Sequence, residues 1–159
     1  MVSGKDLVPK LESGAEDWNE FRRQHPGGVM LNGACLADAQ LAHADLRRAF
    51  LLESNLRGAD LSWACLEGAI LRKTNLHGSN LRHARIDGAD LFSADLSGAD
   101  LRGASLACTF LKRANLRGAD LSTAQGLTER QLVEAVGDCD TRLPEHLTHP
   151  TSWIARGCS

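Results

Sequence analysis

The sequence predicts an all-β fold of the solenoid type, a chain wound on a five-residue step. Three observations predict it. Every fifth residue from Leu31 to Leu121 is leucine, nineteen registers in phase with Ile86 the one variant. The residue two places earlier is small each time: Ala at fourteen registers, Ser at 54 and 79, Thr at 74 and 109, and Val29 at the first. Aromatic residues make up only 4% of the 159 residues and Tyr is absent, although an ordinary globular core needs large rings. A period of five fits neither a helix, at about 3.6, nor a flat strand of period two. It fits a chain that turns a corner every five residues and points one large and one small side chain inward. Fixed self-similarity marks a repeat architecture.

The unit reads A-[D/N]-L-x-G, clearest at Ala89-Asp90-Leu91, Ala99-Asp100-Leu101 and Ala119-Asp120-Leu121. Carried in phase from 29 to 123, it resembles the pentapeptide repeat family. The resemblance implies a right-handed quadrilateral β-helix, four pentapeptides to a coil. Periodicity alone gives the winding and the inward pair. The expected organisation is a lead-in and capping helix over 1–28, a solenoid over 29–125, and a capping helix with tail over 126–159.

At the start, residues 1–12 read as a loosely ordered lead-in. Ser13-Gly14-Ala15-Glu16 has the spacing of a capping box, so a short helix is expected from about Gly14 to Gln24, ended by Pro26-Gly27-Gly28. Trp18 and Phe21 share one face of it. The first coil of a solenoid exposes an unpaired backbone edge and its leucines, and Trp18 and Phe21 are the expected cover.

At the far end, Thr128-Glu129-Arg130-Gln131 is a second capping box, with Leu127 and Leu132 placed for a hydrophobic staple. The helix should run from about Glu129 to Val136 and stop at Gly137. The tail from Leu143-Pro144 to Trp153 reads as irregular, and it resembles an ending found among bacterial family members, there to cover the last coil.

With four registers per coil, residues twenty apart stack. Leu51, Leu71, Leu91 and Leu111 fall in one inward column and Leu61, Leu81 and Leu101 in another; Ile86 takes the same inward role. On the first face the outward neighbours are Met30, Phe50, Leu52, Ile70, Phe92 and Phe110. Asp or Asn holds ten of the nineteen positions before the leucine, but only Asp90 on this face. Duplication alone would have copied A-D-L everywhere. The second face carries the column Asn55, Asn75, Asp95, Asn115, whose side chains suit corner hydrogen bonds. The third stacks His43, Trp63 and His83, an arrangement best read as filler. The fourth mixes Arg47, Arg48, Glu67, Arg85 and Asp87.

No catalytic motif is present: no Walker loop, no G-x-G-x-x-G, no H-E-x-x-H, no G-x-S-x-G. A rod filled with Leu and Ala should lack the pocket that an enzyme or cofactor needs, so neither activity nor cofactor is expected. His43 and His83 lie two coils apart, too far to share a metal, and Cys139, His146, His149 and Cys158 match no usual zinc spacing. Five cysteines without CxxC read as free thiols in a reducing compartment. The opening residues show no signal peptide and no run is long enough to span a membrane, so the cytoplasm is the default expectation.

The expected function is a non-enzymatic interaction module that binds a partner protein, or a second copy of itself, through the apolar first face. Nucleic acid, membrane and small-molecule ligands are not expected. The alternative implied by the resemblance is a DNA mimic that protects DNA gyrase. Net charge is −2 overall. The solenoid holds ten acids and eleven bases, including the pairs Arg47-Arg48, Arg72-Lys73 and Lys112-Arg113, where a mimic needs an extended negative field.

Overall fold

The computed structural model describes residues 4–154, with side chains from residue 7 onward. Residues 30–125 wind with a twenty-residue pitch. Four parallel ladders run along the rod: Met30–Phe50–Ile70–Asp90–Phe110, Cys35–Asn55–Asn75–Asp95–Asn115, Gln40–Asp60–Asn80–Asp100–Asp120 and Asp45–Cys65–Arg85–Ser105–Gln125. Each rung is a single residue, the one before the leucine up to Asp120, with Gln125 before Gly126 as the last. Phe50, for example, donates its N–H to Val29 O at 2.8 Å and accepts the Leu31 N–H at 2.7 Å.

A five-residue step must satisfy five amides, and the sequence motif is the solution. Three bond to neighbouring coils: at the second face these are Asn55 N to Ala34 O, Leu56 N to Asn75 O and Gly58 N to His77 O. The fourth closes the corner, as Ala59 N does to Leu56 O at 3.1 Å. The fifth, on the residue after the leucine, meets the Asp or Asn two residues earlier. All ten Asp and Asn residues at that position accept this bond, from Asp45 with Arg47 N at 3.1 Å to Asp120 with Ser122 N at 3.0 Å. The residue two after the leucine has positive φ at every corner from Gly33 to Gly118, which is why glycine recurs there.

The interior is filled. All nineteen Leu and Ile registers are at most 1% exposed, including Leu51, Leu61, Leu71, Leu81, Ile86, Leu91, Leu101 and Leu111. The small position is buried too, Ala39 only partly, and its hydroxyls are satisfied: Ser54 Oγ and Thr74 Oγ1 both donate to Leu51 O at 2.7 Å. A buried hydroxyl without such a bond costs about 1–3 kcal/mol.

The ends depart from the sequence expectation in several places. Residues 4–12 are not a loose lead-in. They form α1 (Gly4–Glu12), which packs against α2 (Ala15–Gln24) and buries Leu7 and Leu11. The capping box expected at Ser13 is absent: Ser13 Oγ donates back to Lys10 O, and Gly14 precedes α2 without a side-chain bond. A tight α1–α2 junction leaves Ser13 no extended backbone to reach forward. The second box is present, on α3 (Glu129–Glu134), which ends two residues earlier than expected. It stops early because Val136 leaves the helix to pair with Asn115; Arg142 likewise pairs with Asp120. Residues 136–142 are thus an imperfect further turn of the solenoid. The short α4 (Thr151–Ile154) follows.

Candidate interaction face

The first face is built on the ladder Met30–Phe50–Ile70–Asp90–Phe110. Phe50, Ile70 and Phe110 occupy the outward rung position, and Leu52 and Phe92 the adjoining corner. Phe110 is 64% exposed, Phe50 36% and Leu52 37%, while Met30, Ile70 and Phe92 are half-buried. An open depression of about 380 Å³ lies among Asn32, Phe50, Leu52, Ile70, Arg72 and Phe92. This depression lies on the outer surface, not in the Leu- and Ala-filled interior.

Polar groups frame the strip. The Arg72 guanidinium lies over the Phe92 ring, 4.8 Å from its centre, and reaches Asp90 at 3.7 Å. Lys73 pairs with Glu53 at 2.9 Å. Apolar rungs have a local consequence. Ile70 and Phe110 cannot accept the corner amide two residues on, and Arg72 N and Lys112 N have no acceptor among the described residues. After Phe50, Asn32 of the preceding coil takes over, accepting Leu52 N at 3.0 Å.

The strip is not covered by the N-terminal helices. Gly28 passes beside Phe50, 2.8 Å from ring to a virtual Cβ, but α2 docks elsewhere. Trp18 Nε1 donates to Asp45 O at 2.8 Å, and Asn19 accepts Asp45 N, on the fourth face. Trp18 is fully buried and Phe21 partly so. The sequence reading missed the residue that does most there. Arg22 is buried and donates to the carbonyls of Asp45, His25, Gly27 and Arg47. Its signal was an Arg four places from Trp18 on the same helix, indistinguishable in sequence from a solvated charge.

At the other end Leu132 is fully buried and Leu127 nearly so. Gln131 Nε2 donates to Leu106 O and Thr109 O, both at 3.0 Å. Trp153 lies against Gly137 and donates to Ala135 O. Cys35, Cys65 and Cys108 are free thiols, but Cys139 is disulfide-bonded. That corrects the expectation that every thiol is free, and a bonded sulfur is no metal ligand. Cys158 lies outside the described residues.

On the third face the rings stack as read: His43 to Trp63 at 6.3 Å and 8°, Trp63 to His83 at 4.2 Å and 19°. Trp63 holds φ +60, an uncommon conformation for a bulky residue, with two ring contacts to offset it. Gly103 continues the column because the His83 ring occupies the space of any side chain there. Among the described residues no group of three or more His, Cys, Asp or Glu could hold a metal ion. No described helix is long and apolar enough to cross a membrane.

The family model for pentapeptide repeats matches in eight copies over residues 34–72, 66–98 and 94–125. Among solved structures, Rfr23 from the cyanobacterium Cyanothece is 30% identical over 79% of this chain and 97% of its own, with a TM-score of 0.44. HetL, described as involved in heterocyst differentiation regulation in the cyanobacterium Nostoc, is 28% identical over 72% and 70%, with a TM-score of 0.43. QnrB1, a plasmid-mediated fluoroquinolone resistance protein, is 22% identical over 70% and 61%, with a TM-score of 0.45. No curated protein matches significantly.

Proposed function

The chain belongs to the pentapeptide repeat family, whose members form a right-handed β-helix, and we propose that it is a non-enzymatic interaction module. It binds a partner protein, or a second copy of itself, through the first face. The observation that carries this reading is the exposed apolar strip of Phe50, Leu52 and Phe110, set where other corners hold Asp or Asn. Ten corners hold an Asp or Asn that accepts the next-but-one amide. At Ile70 and Phe110 the chain forgoes that bond and displays apolar surface instead. A hydrogen bond of this type is worth about 0.5–1.5 kcal/mol, so each substitution works against the stability of the rod. The same bond is absent after Cys35, Gln40, Cys65 and Arg85, so what sets the first face apart is that large apolar side chains stand at the positions that forgo it. An apolar strip edged by Arg72, Lys73 and Glu53 has the make-up of a protein interface. The elements over the two ends take the capping role that an open solenoid requires.

The gyrase-protecting alternative draws no support from charge, since the solenoid has eleven bases to ten acids. The test is the double change Phe50→Ser with Phe110→Ser, followed by sedimentation and by affinity capture of the partner. The expected variant melts no lower than the parent but loses its dimer or its partner. Unchanged association overturns the reading.

A further inference from the structure

An open cleft of about 540 Å³ lies where the C-terminal end of α2 meets the fourth face, lined by Arg22, Arg23, Arg47 and Arg48 against Asp45 and Glu67. Contact pairing then decides which charges are spoken for. Arg47 is clamped on both oxygens of Asp45, at 2.8 and 2.6 Å. Arg85 engages Glu67 and Glu20 engages Arg23, each from outside the lining. Two cations remain. Arg22 is 4% exposed, spends its donors on four carbonyls, and has no carboxylate within ion-pair distance among the described residues. Burial, the largest influence on it, pulls its pKa down, against the attraction of Asp45. A buried cation short of counter-charge is unfavourable unless something supplies it. The Arg48 backbone N–H donates to Glu67 O at 3.0 Å, but its guanidinium has neither a hydrogen bond nor an ion pair among the described residues, so its five donors are open to the cleft.

We propose that this cleft binds a phosphate monoester group. The uncompensated charge is two positive, and a phosphate monoester carries about −1.5 to −2 at pH 7, whereas a single carboxylate would leave half of it unmet. The planar fork of Arg48 suits bidentate contact with phosphate oxygens. Gly68 follows Arg48 one coil on in the same corner column and leaves its stem uncrowded: the nearest atom to a Cβ there is Arg48 Cγ, at 3.7 Å. The site departs from the expectation of no small-molecule ligand. It lies off the first face, so its failure leaves the interaction reading untouched.

The experiment is calorimetric titration of the full chain with inorganic phosphate in chloride buffer. Saturable binding is expected, weakened about tenfold in Arg48→Gln by loss of charge-assisted bonds and partly restored in Arg48→Lys. The control is Arg113→Gln, a change at the equivalent corner of the first face, which has the same backbone conformation (φ +62 against +55 at Arg48); it should bind like the parent. Thermal melts establish that each variant folds. Absence of saturable heat, or equal loss in the Arg48 and Arg113 variants, overturns the proposal. Within the expected outcome, tighter binding of a phosphoserine peptide places the group on a protein, and no gain places it on a small molecule.

Discussion

Asn19 stands in for a missing strand at Asp45. Its Oδ1 accepts the Asp45 N–H at 2.8 Å, the bond that at Cys65, one coil on, comes from Ala44 O at 3.0 Å. Asp45 is the first rung of its ladder, so no earlier coil can supply that acceptor. The side chains of α2 therefore continue the hydrogen-bonding pattern of the sheet without any β-structure of their own.

From this follows the first prediction. Asn19→Ala should lower stability by about 1–2 kcal/mol, the penalty for an orphaned buried amide, read as a lower urea midpoint. Removing residues 1–28 uncovers Leu31, Leu36 and the open edge together, and an unpaired edge templates association. Light scattering should show oligomers. A monomeric, equally stable truncation would contradict the capping role.

Core volume is the second. Leu91→Ala should cost about 2–5 kcal/mol through a cavity, and Ala99→Leu about 1–3 kcal/mol through overpacking, since both sites are at most 1% exposed. Chemical denaturation checks both. Parent-like midpoints would show that these side chains do not pack as described.

A third prediction runs against the usual direction of mutation. Ile70→Asn restores the acceptor that Arg72 N lacks, so it should raise stability by up to about 1 kcal/mol while weakening partner binding. Asn75→Ala, which removes the bond to His77 N at 3.0 Å, should lower stability by a similar amount. If Ile70→Asn is destabilising, the corner bond is not what the apolar rungs give up.

The fourth concerns acid. The Arg102 side chain, by hydrogen bonding, holds the Asp100 carboxyl below the usual range, and burial opposes it. At Asp120 burial pushes upward, but hydrogen bonds from Ser122 and the charges of Arg102 and Arg142 outweigh it. Both groups bind protons less readily folded than unfolded. Their contribution is present above the unfolded value of about 3.9 and is lost as pH falls through the lowered folded values. The double change Asp100→Asn with Asp120→Asn keeps the corner oxygens and removes the protons, so its stability should fall less steeply between neutral pH and pH about 3. Parallel urea midpoints for parent and variant across that range would refute it.

The solenoid was legible because each inward position repeats with a period that no other structure shares. That period alone stacks Leu61, Leu81 and Leu101 in one column. The first-face residues were placed by the same register, since turning one side chain outward fixes all the others. The ends were harder for a physical reason. Arg22 and Asn19 act by reaching carbonyls and amides far away in sequence, and nothing local distinguishes them from solvated residues. Leu7 and Leu11, four apart, did carry a helical signal, obscured by Pro9. Val136 and Arg142 were missed because the register slips after Asn115 and Asp120, to spacings of 21 and 22 residues.

The twenty-residue pitch makes this protein sensitive to phase. A five-residue insertion after Leu76 would add one more A-N-L-x-G unit, keep every leucine inside and every corner bonded, and pass unnoticed by the core. Yet it would advance everything beyond it by a quarter turn. Phe92 and Phe110 would move off the face that holds Phe50 and Ile70, and the apolar strip would be cut in two. An insertion of twenty residues would leave it whole and merely longer. In a fold of this kind, surface identity is carried by a count of residues, so that insertions harmless to folding are divided into those that preserve a binding face and those that break it.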